Sequence, residues 1–202
     1  MLFSEIVMKK TFYCAASAAA LLAFAAPASA APVSGARIEA VVGYDNLTAN
    51  LEDEGIDEDF DQNGAVFGVG VGYDFGVSPT TAIGIDLEAT LSTANAEVTE
   101  GTDSADLDAG RDLYAGVRLT TAVSDTVNLF VGAGYTNQRI SATITNGFDI
   151  ASDSANAEGA RGRVGLQFGF GGNAYGTVEY RYSNYEADLS RHQAVGGIGF
   201  RF

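Results

Sequence analysis

Few residues in this chain are of types that perform chemistry, and their spacing limits what each could do. His192 is the only histidine. A histidine that drives hydrolysis needs a serine nucleophile or an orienting acid within reach. A His-x-Ser pair would require serine at position 194, where Ala194 stands, and Ser190 and Asp188 fall in a loop. No catalytic residue is therefore assigned, and His192 is expected to be an interfacial aromatic. The stretch DFDQNG opens like a calcium loop, with Asp59, Asp61 and Asn63 at its first, third and fifth positions and glycine at its sixth. The bidentate glutamate due at position twelve is Gly70 instead. These three residues are weak divalent-cation candidates within an acidic segment that attracts Ca²⁺ or Mg²⁺ through its oxygens. GVGVG, Gly68 to Gly72, lacks the G-x-G-x-x-G spacing of a dinucleotide loop, and no cofactor is implied. Arg161 and Arg163 lie two apart, so on a strand they share one face.

The elements that would position these residues show period two rather than helical spacing. Ile38, Ala40, Val42 and Tyr44 alternate with other residues, and seven further runs do the same. They are Ala65–Phe75, Ile83–Leu91, Leu113–Leu119, Val127–Tyr135, Val164–Phe170, Val178–Tyr182 and Ala194–Phe202. Each is close to the ~9–11 residues with which a tilted strand crosses a bilayer. Short connections (GVSPT, AVSDT, GGNA) alternate with long ones: the acidic stretch before Asn63, then Ala94 to Gly110, then Thr145 to Glu158. Asn184 to Ser190 is intermediate in length. An even strand count with this alternation predicts an all-β fold, an eight-stranded antiparallel up-and-down transmembrane β-barrel with both termini on the short-turn side.

Charge placement sharpens the prediction, because an arginine facing lipid at mid-membrane costs ~2–4 kcal/mol. Within the runs, Glu39, Asp45, Asp74, Asp86, Glu88, Asp112 and Glu179 sit opposite the apolar parity. So do Arg37, Arg118, Arg161, Arg163, Arg181, Arg191 and Arg201. They are expected to form an interior ion-pair network. A closed eight-stranded barrel has an interior just wide enough for side chains to fill it. The two exceptions, Arg111 and Arg139, are expected at strand ends near water. Seven acids fall between Glu52 and Asp61, five between Glu97 and Asp108, and three between Asp149 and Glu158. The formal charge of −15 thus belongs to the long loops, and it excludes nucleic acid as a partner.

Residues 1–30 read as a signal peptide for Sec-type export. Lys9 and Lys10 precede an alanine-rich run, and Ala28-Ser29-Ala30 forms a cleavage site after Ala30. Met8 is a second candidate start. Residues 31–202 then form the barrel domain, without lysine or cysteine. Phe200 and Phe202 should face lipid at the periplasmic interface, joined by Phe75, Phe170 and Tyr175. Tyr44, Phe67, Tyr135 and Tyr182 are candidates for the opposite aromatic girdle.

With its terminal GIGFRF, and with strands such as FGVGVGYDF and LFVGAGY, the chain resembles the small outer-membrane β-barrel family of Gram-negative bacteria, closest to the opacity-protein and OmpA-barrel group. The resemblance implies a bacterial outer-membrane location and surface-exposed loops. It also implies a structural or adhesive role toward a host or cell-surface ligand, contact with outer-membrane lipid and glycolipid, and no cofactor. Ile198, Phe200 and Phe202 look like the family's assembly signal, read by the barrel-assembly machinery. Three functions compete: a closed structural or interaction barrel, a narrow pore for small solutes or ions, and a barrel lipid hydrolase. The first is preferred, and the protein is not expected to be an enzyme.

Overall fold

The structure, a computed structural model, describes residues 34–49, 60–100, 103–146, 149–186 and 189–202. The expected leader over residues 1–30, its cleavage after Ala30, and Asp59 and Asp188 lie outside the described residues. Among the described residues the regular structure is all β: β1 (Gly35–Ala49), β2 (Phe60–Gly76), β3 (Thr81–Ser92), β4 (Asn95–Glu100), β5 (Asp103–Ala122), β6 (Val127–Asn146), β7 (Asp149–Gly169), β8 (Ala174–Tyr185) and β9 (Leu189–Arg201).

Each strand pairs antiparallel with its neighbours, and the sheet closes into one ring. β1 pairs with β9, joining first strand to last, and β3 pairs with β5. The ring therefore has eight staves. β4 is not a ninth; it continues the β3 stave after a break at Thr93 and Ala94, where Thr93 N–H donates to Ala65 O (2.8 Å) and Ala109 N–H to Ala94 O (3.0 Å). Closure leaves the membrane-spanning part with no edge, which a bilayer demands because it offers backbone groups no hydrogen-bond partner.

Three tight turns, at residues 77–80, 123–126 and 170–173, lie at one end. Gly171 and Gly172 adopt φ of +93° and +61°, a left-handed region costly for any side chain. Both described ends of the chain reach the same end: Phe202 N–H donates to Ala36 O (2.8 Å) and Arg201 N–H to Asn173 O (2.9 Å).

The opposite end differs from the expected long loops. Ala94 to Gly110 and Thr145 to Glu158 are largely strand, forming β4, the start of β5, the end of β6 and the start of β7. β5 pairs with β6 up to Asp103↔Asn146, and β6 with β7 up to Asn146↔Asp149, whereas β8 meets β7 only from Gly159 downward. A wall of strands thus rises above the barrel on one side. Its strands satisfy one another's backbone groups directly; its apolar row, Ala105, Leu107 and Ala109 opposite Ile144, Ala142 and Ile140, is short and set among acids, and Ser152 to Asn156 of β7 are exposed. Between Ala109 and Asp112 the β5–β6 register shifts, and Gly110 and Arg111 lie together against Arg139. This bulge marks where barrel becomes wall.

Candidate functional site: a charged bore inside an apolar belt

The polarity of this barrel is inverted relative to a water-soluble protein. Its large apolar side chains are exposed: Val69, Ile85, Leu87, Val117, Val131 and Ile198 all face outward along the staves. The buried apolar cluster amounts to Val41, Val66 and Val195. All seven acids and seven arginines of the inward parity are buried. So large an exposed apolar surface on a closed cylinder requires a hydrocarbon solvent.

Inside, carboxylates separate arginines that the backbone register would otherwise set face to face. Arg37 lies opposite Arg201 across β1 and β9. Asp74 stands between them, its Oδ2 at 3.1 Å from Arg37 Nε and 2.9 Å from Arg201 Nη2. Arg163 lies opposite Arg181 across β7 and β8. Glu179 Oε2 takes Arg163 Nη2 at 2.9 Å, while Glu88 receives two bonds from Arg181, both 2.7 Å. Like charges directly opposed on a sheet destabilise it, so these carboxylates hold together strands that would repel.

The pairs join into one column. Glu39 Oε1 is shared by Arg37 (3.5 Å) and Arg118 (3.4 Å), and Asp86 links Arg37 to Arg163 (3.4 Å to the latter). Higher up, Arg161 and Arg191 both reach Asp112, the latter at 2.9 Å. Arg191 also forks onto Asp45 with bonds of 2.7 and 2.6 Å. Bidentate arginine–carboxylate geometry of this kind is among the stronger polar contacts proteins make. Every stave except β6 supplies a charge; β6 supplies Asn128, Thr136 and Gln138 to the interior.

Residues 16–202 match the model of the outer membrane protein beta-barrel domain family. The chain belongs to that outer-membrane β-barrel family. Among solved structures it is similar to Neisserial surface protein A, with a TM-score of 0.58 at 14% identity over 84% of this chain and 98% of that one. It is also similar to Ail, the attachment invasion locus protein of Yersinia pestis, in complex with the heparin analogue sucrose octasulfate. There the TM-score is 0.54 at 17% identity, over 83% of this chain and 99% of that one. No curated protein matches the chain.

In this outer-membrane barrel, aromatic rings that sequence reasoning missed complete the interior. Phe130 carries the Arg118 guanidinium 3.8 Å above its ring centroid, and Tyr114 lies under Arg161 and Arg163 at 5.5 and 5.7 Å. Such stacking favours arginine over lysine. Tyr175, expected in the periplasmic girdle, is fully buried instead and donates from its hydroxyl to Glu39 Oε1 at 2.7 Å. Its parity matches Thr177 and Glu179, both inward, so alternation could have located it where residue type misled. Glycines make the room: Gly165 lies opposite Phe130 in register, and a Cβ there would sit 2.6 Å from the ring edge.

Other anticipated residues take varied positions. Phe75, Phe170, Phe200 and Phe202 are exposed outward toward the short-turn end, the last two with centroids 5.1 Å apart, and Ile198 faces the same way. Tyr44, Phe67, Tyr135 and Tyr182 are exposed on the belt's other border. His192 faces outward, its Nδ1 2.5 Å from the Tyr180 hydroxyl and its ring 4.9 Å from that of Tyr182. Asp61 and Asn63 belong to strand β2, not to a loop, and Asn63 Oδ1 accepts from Tyr44 and, at 2.8 Å, from Asn46. Among the described residues no cluster of metal-ligating side chains forms. Arg111 and Arg139 lie within β5 and β6 rather than at strand ends, because those strands continue into the wall.

Proposed function

We propose that this outer-membrane barrel is a closed anchor. Its bore is blocked by the column of paired charges, and its working surface is the β-wall and the acidic segments around it. The observation that carries this reading is the column itself: fourteen buried charged side chains joined by ion pairs from Asp74 and Arg201 near the turns to Asp45 and Arg191 near the wall. A pore for ions would need mobile or one-signed charges along an open path, and here each guanidinium is held by carboxylates.

The loop ligand is expected to be cationic, neutral, or bridged by divalent cations. Ail is seen with a polyanion, whereas the surface segments here carry seven acids between Glu52 and Asp61 alone. Adhesion to a host or neighbouring cell through that surface fits an anchor better than catalysis does. The lipid-hydrolase reading has no support from His192, whose described partners are tyrosines. Ile198, Phe200 and Phe202 are proposed as the signal for the assembly machinery, and residues 1–30 as the cleaved leader; mass spectrometry of the mature chain reads the latter.

Planar-bilayer recording tests the closed bore. Purified barrel should add no discrete conductance steps; single-channel steps from the wild-type chain would replace this proposal with the narrow pore.

A further inference from the structure

The nine arginines divide in a way the barrel alone does not require. Seven are buried in the bore, and Arg111 and Arg139 are exposed on the outer face. Both lysines of the sequence, Lys9 and Lys10, lie in the expected leader. Arg111 and Arg139 are therefore the only cations exposed among the described residues, and they are neighbours: the bulge sets Gly110 and Arg111 against Arg139.

Their level in the membrane is also defined. Outward residues on β6 run Leu129, Val131, Ala133 and Tyr135, then Asn137, Arg139, Ser141 and Thr143. The apolar belt ends between Tyr135 and Asn137, so the arginines stand at the headgroup layer on the wall side. Directly below them the belt is concave. An outward groove of about 500 Å³ opens where Ala89 and Ala115 leave space among Val71, Leu87, Leu113 and Tyr135. Among the described side chains neither guanidinium forms an ion pair. Glu158, exposed and opposite Asn137 in register, is a nearby acid, while Arg139 Nη2 donates to Ser154 Oγ at 2.8 Å. Cations with no ion pair among the described side chains, on an acid-rich exterior, imply an anionic visitor, and the groove beneath implies that it carries an acyl chain.

We propose that Arg111 and Arg139 bind a phosphate of an outer-leaflet glycolipid whose acyl chain lies in the groove over Ala89 and Ala115. An outer-leaflet glycolipid fits better than an inner-leaflet phospholipid, because the short-turn end has no exposed arginine among the described residues. Arginine suits the role, since its planar donors match phosphate oxygens. The geometry does not depend on the bore being closed, so the proposal stands or falls apart from the conductance result.

Native mass spectrometry of the folded barrel, titrated with bisphosphorylated lipid A and with its dephosphorylated form, provides the test. Wild type should prefer the phosphorylated lipid. Arg111→Gln/Arg139→Gln should weaken that preference by about tenfold or more, given the strength of charge-assisted bonds. Ala115→Phe, which fills the groove, should weaken both lipids. Heat-modifiability on gels confirms that each variant is folded. Equal binding of the two lipids by wild type, undiminished binding by the arginine variant, unchanged binding by Ala115→Phe, or equal retention of phosphatidylglycerol would each overturn the proposal.

Discussion

The bore and the wall are built from the same strands, yet they hold together by different means. Below the bulge, β5, β6 and β7 face lipid on one side and a column of ion pairs on the other. Above it, the same strands are held chiefly by backbone pairing. In the bore each of the fourteen buried charged side chains has an ion-pair partner, so a change there should propagate. In the wall the side chains from Ser152 to Asn156 of β7 are exposed, where substitutions usually cost little.

The sharpest way to break this comparison is to remove one partner from the bore. Glu88 receives two of the Arg181 bonds, Glu179 taking the others, and lies within 4.0 Å of Arg163, which opposes Arg181 in register. Glu88→Leu leaves Glu179 as the carboxylate that both cations must share, so the buried cluster carries one positive charge too many. The expected loss is ~3–5 kcal/mol in reversible urea unfolding in lipid. Glu88→Leu/Arg181→Met should recover much of it, because an apolar replacement of a whole buried pair is often neutral. A double variant no better than the single would show that the column acts as a unit rather than as pairs.

A second test moves a charge through the barrel wall. Val117 is 58% exposed on the outer face, one residue before buried Arg118. Val117→Arg should cost ~2–4 kcal/mol in the same assay, since it places a guanidinium in hydrocarbon near mid-belt. A smaller loss would mean that the belt lies elsewhere along β5.

A third test asks how tightly the bore is filled. A Cβ at Gly165 would meet Phe130 Cζ, Glu179 Cβ and Val178 O, all at 2.6 Å. Gly165→Val is expected to lose ~1–3 kcal/mol by overpacking. Gly162, three residues earlier on β7 and on its outward face, has nothing within 4 Å of a Cβ and is the control: Gly162→Ala should be nearly silent.

The same contrast explains what could be read in the sequence. Lipid imposes strict sidedness, so the alternation of Ile83, Ile85, Leu87 and Ala89 with Gly84, Asp86 and Glu88 identifies strand and face together. Partners across the bore were not legible, because they depend on strand tilt and stagger; Arg191 and Asp45 are 146 residues apart. Tyr175 has the residue type of a girdle but the parity of Thr177 and Glu179, and parity decides its place. The wall was harder to read because its alternation is short and rests on small residues amid acids: Ala105, Leu107 and Ala109 lie opposite Ile144, Ala142 and Ile140 in register. Arg111 and Arg139 stood out only as exceptions, and the bulge that makes them neighbours has no signature beyond Gly110.

The smallest effect belongs to the wall, and it is the most discriminating. Arg139 Nη2 donates to Ser154 Oγ at 2.8 Å in an exposed setting, where water can replace either partner. Ser154→Ala should therefore change barrel stability by no more than about 0.5 kcal/mol. Hydrogen exchange should show the same asymmetry in the wild type. Amides of the β7 segment above Gly159, which has no β8 partner, should exchange through local opening well before those of Arg163 or Gly165, which open only with the whole barrel. Equal protection along β7 would mean that wall and bore unfold as one unit, and would undo the distinction between a committed interior and an exchangeable surface.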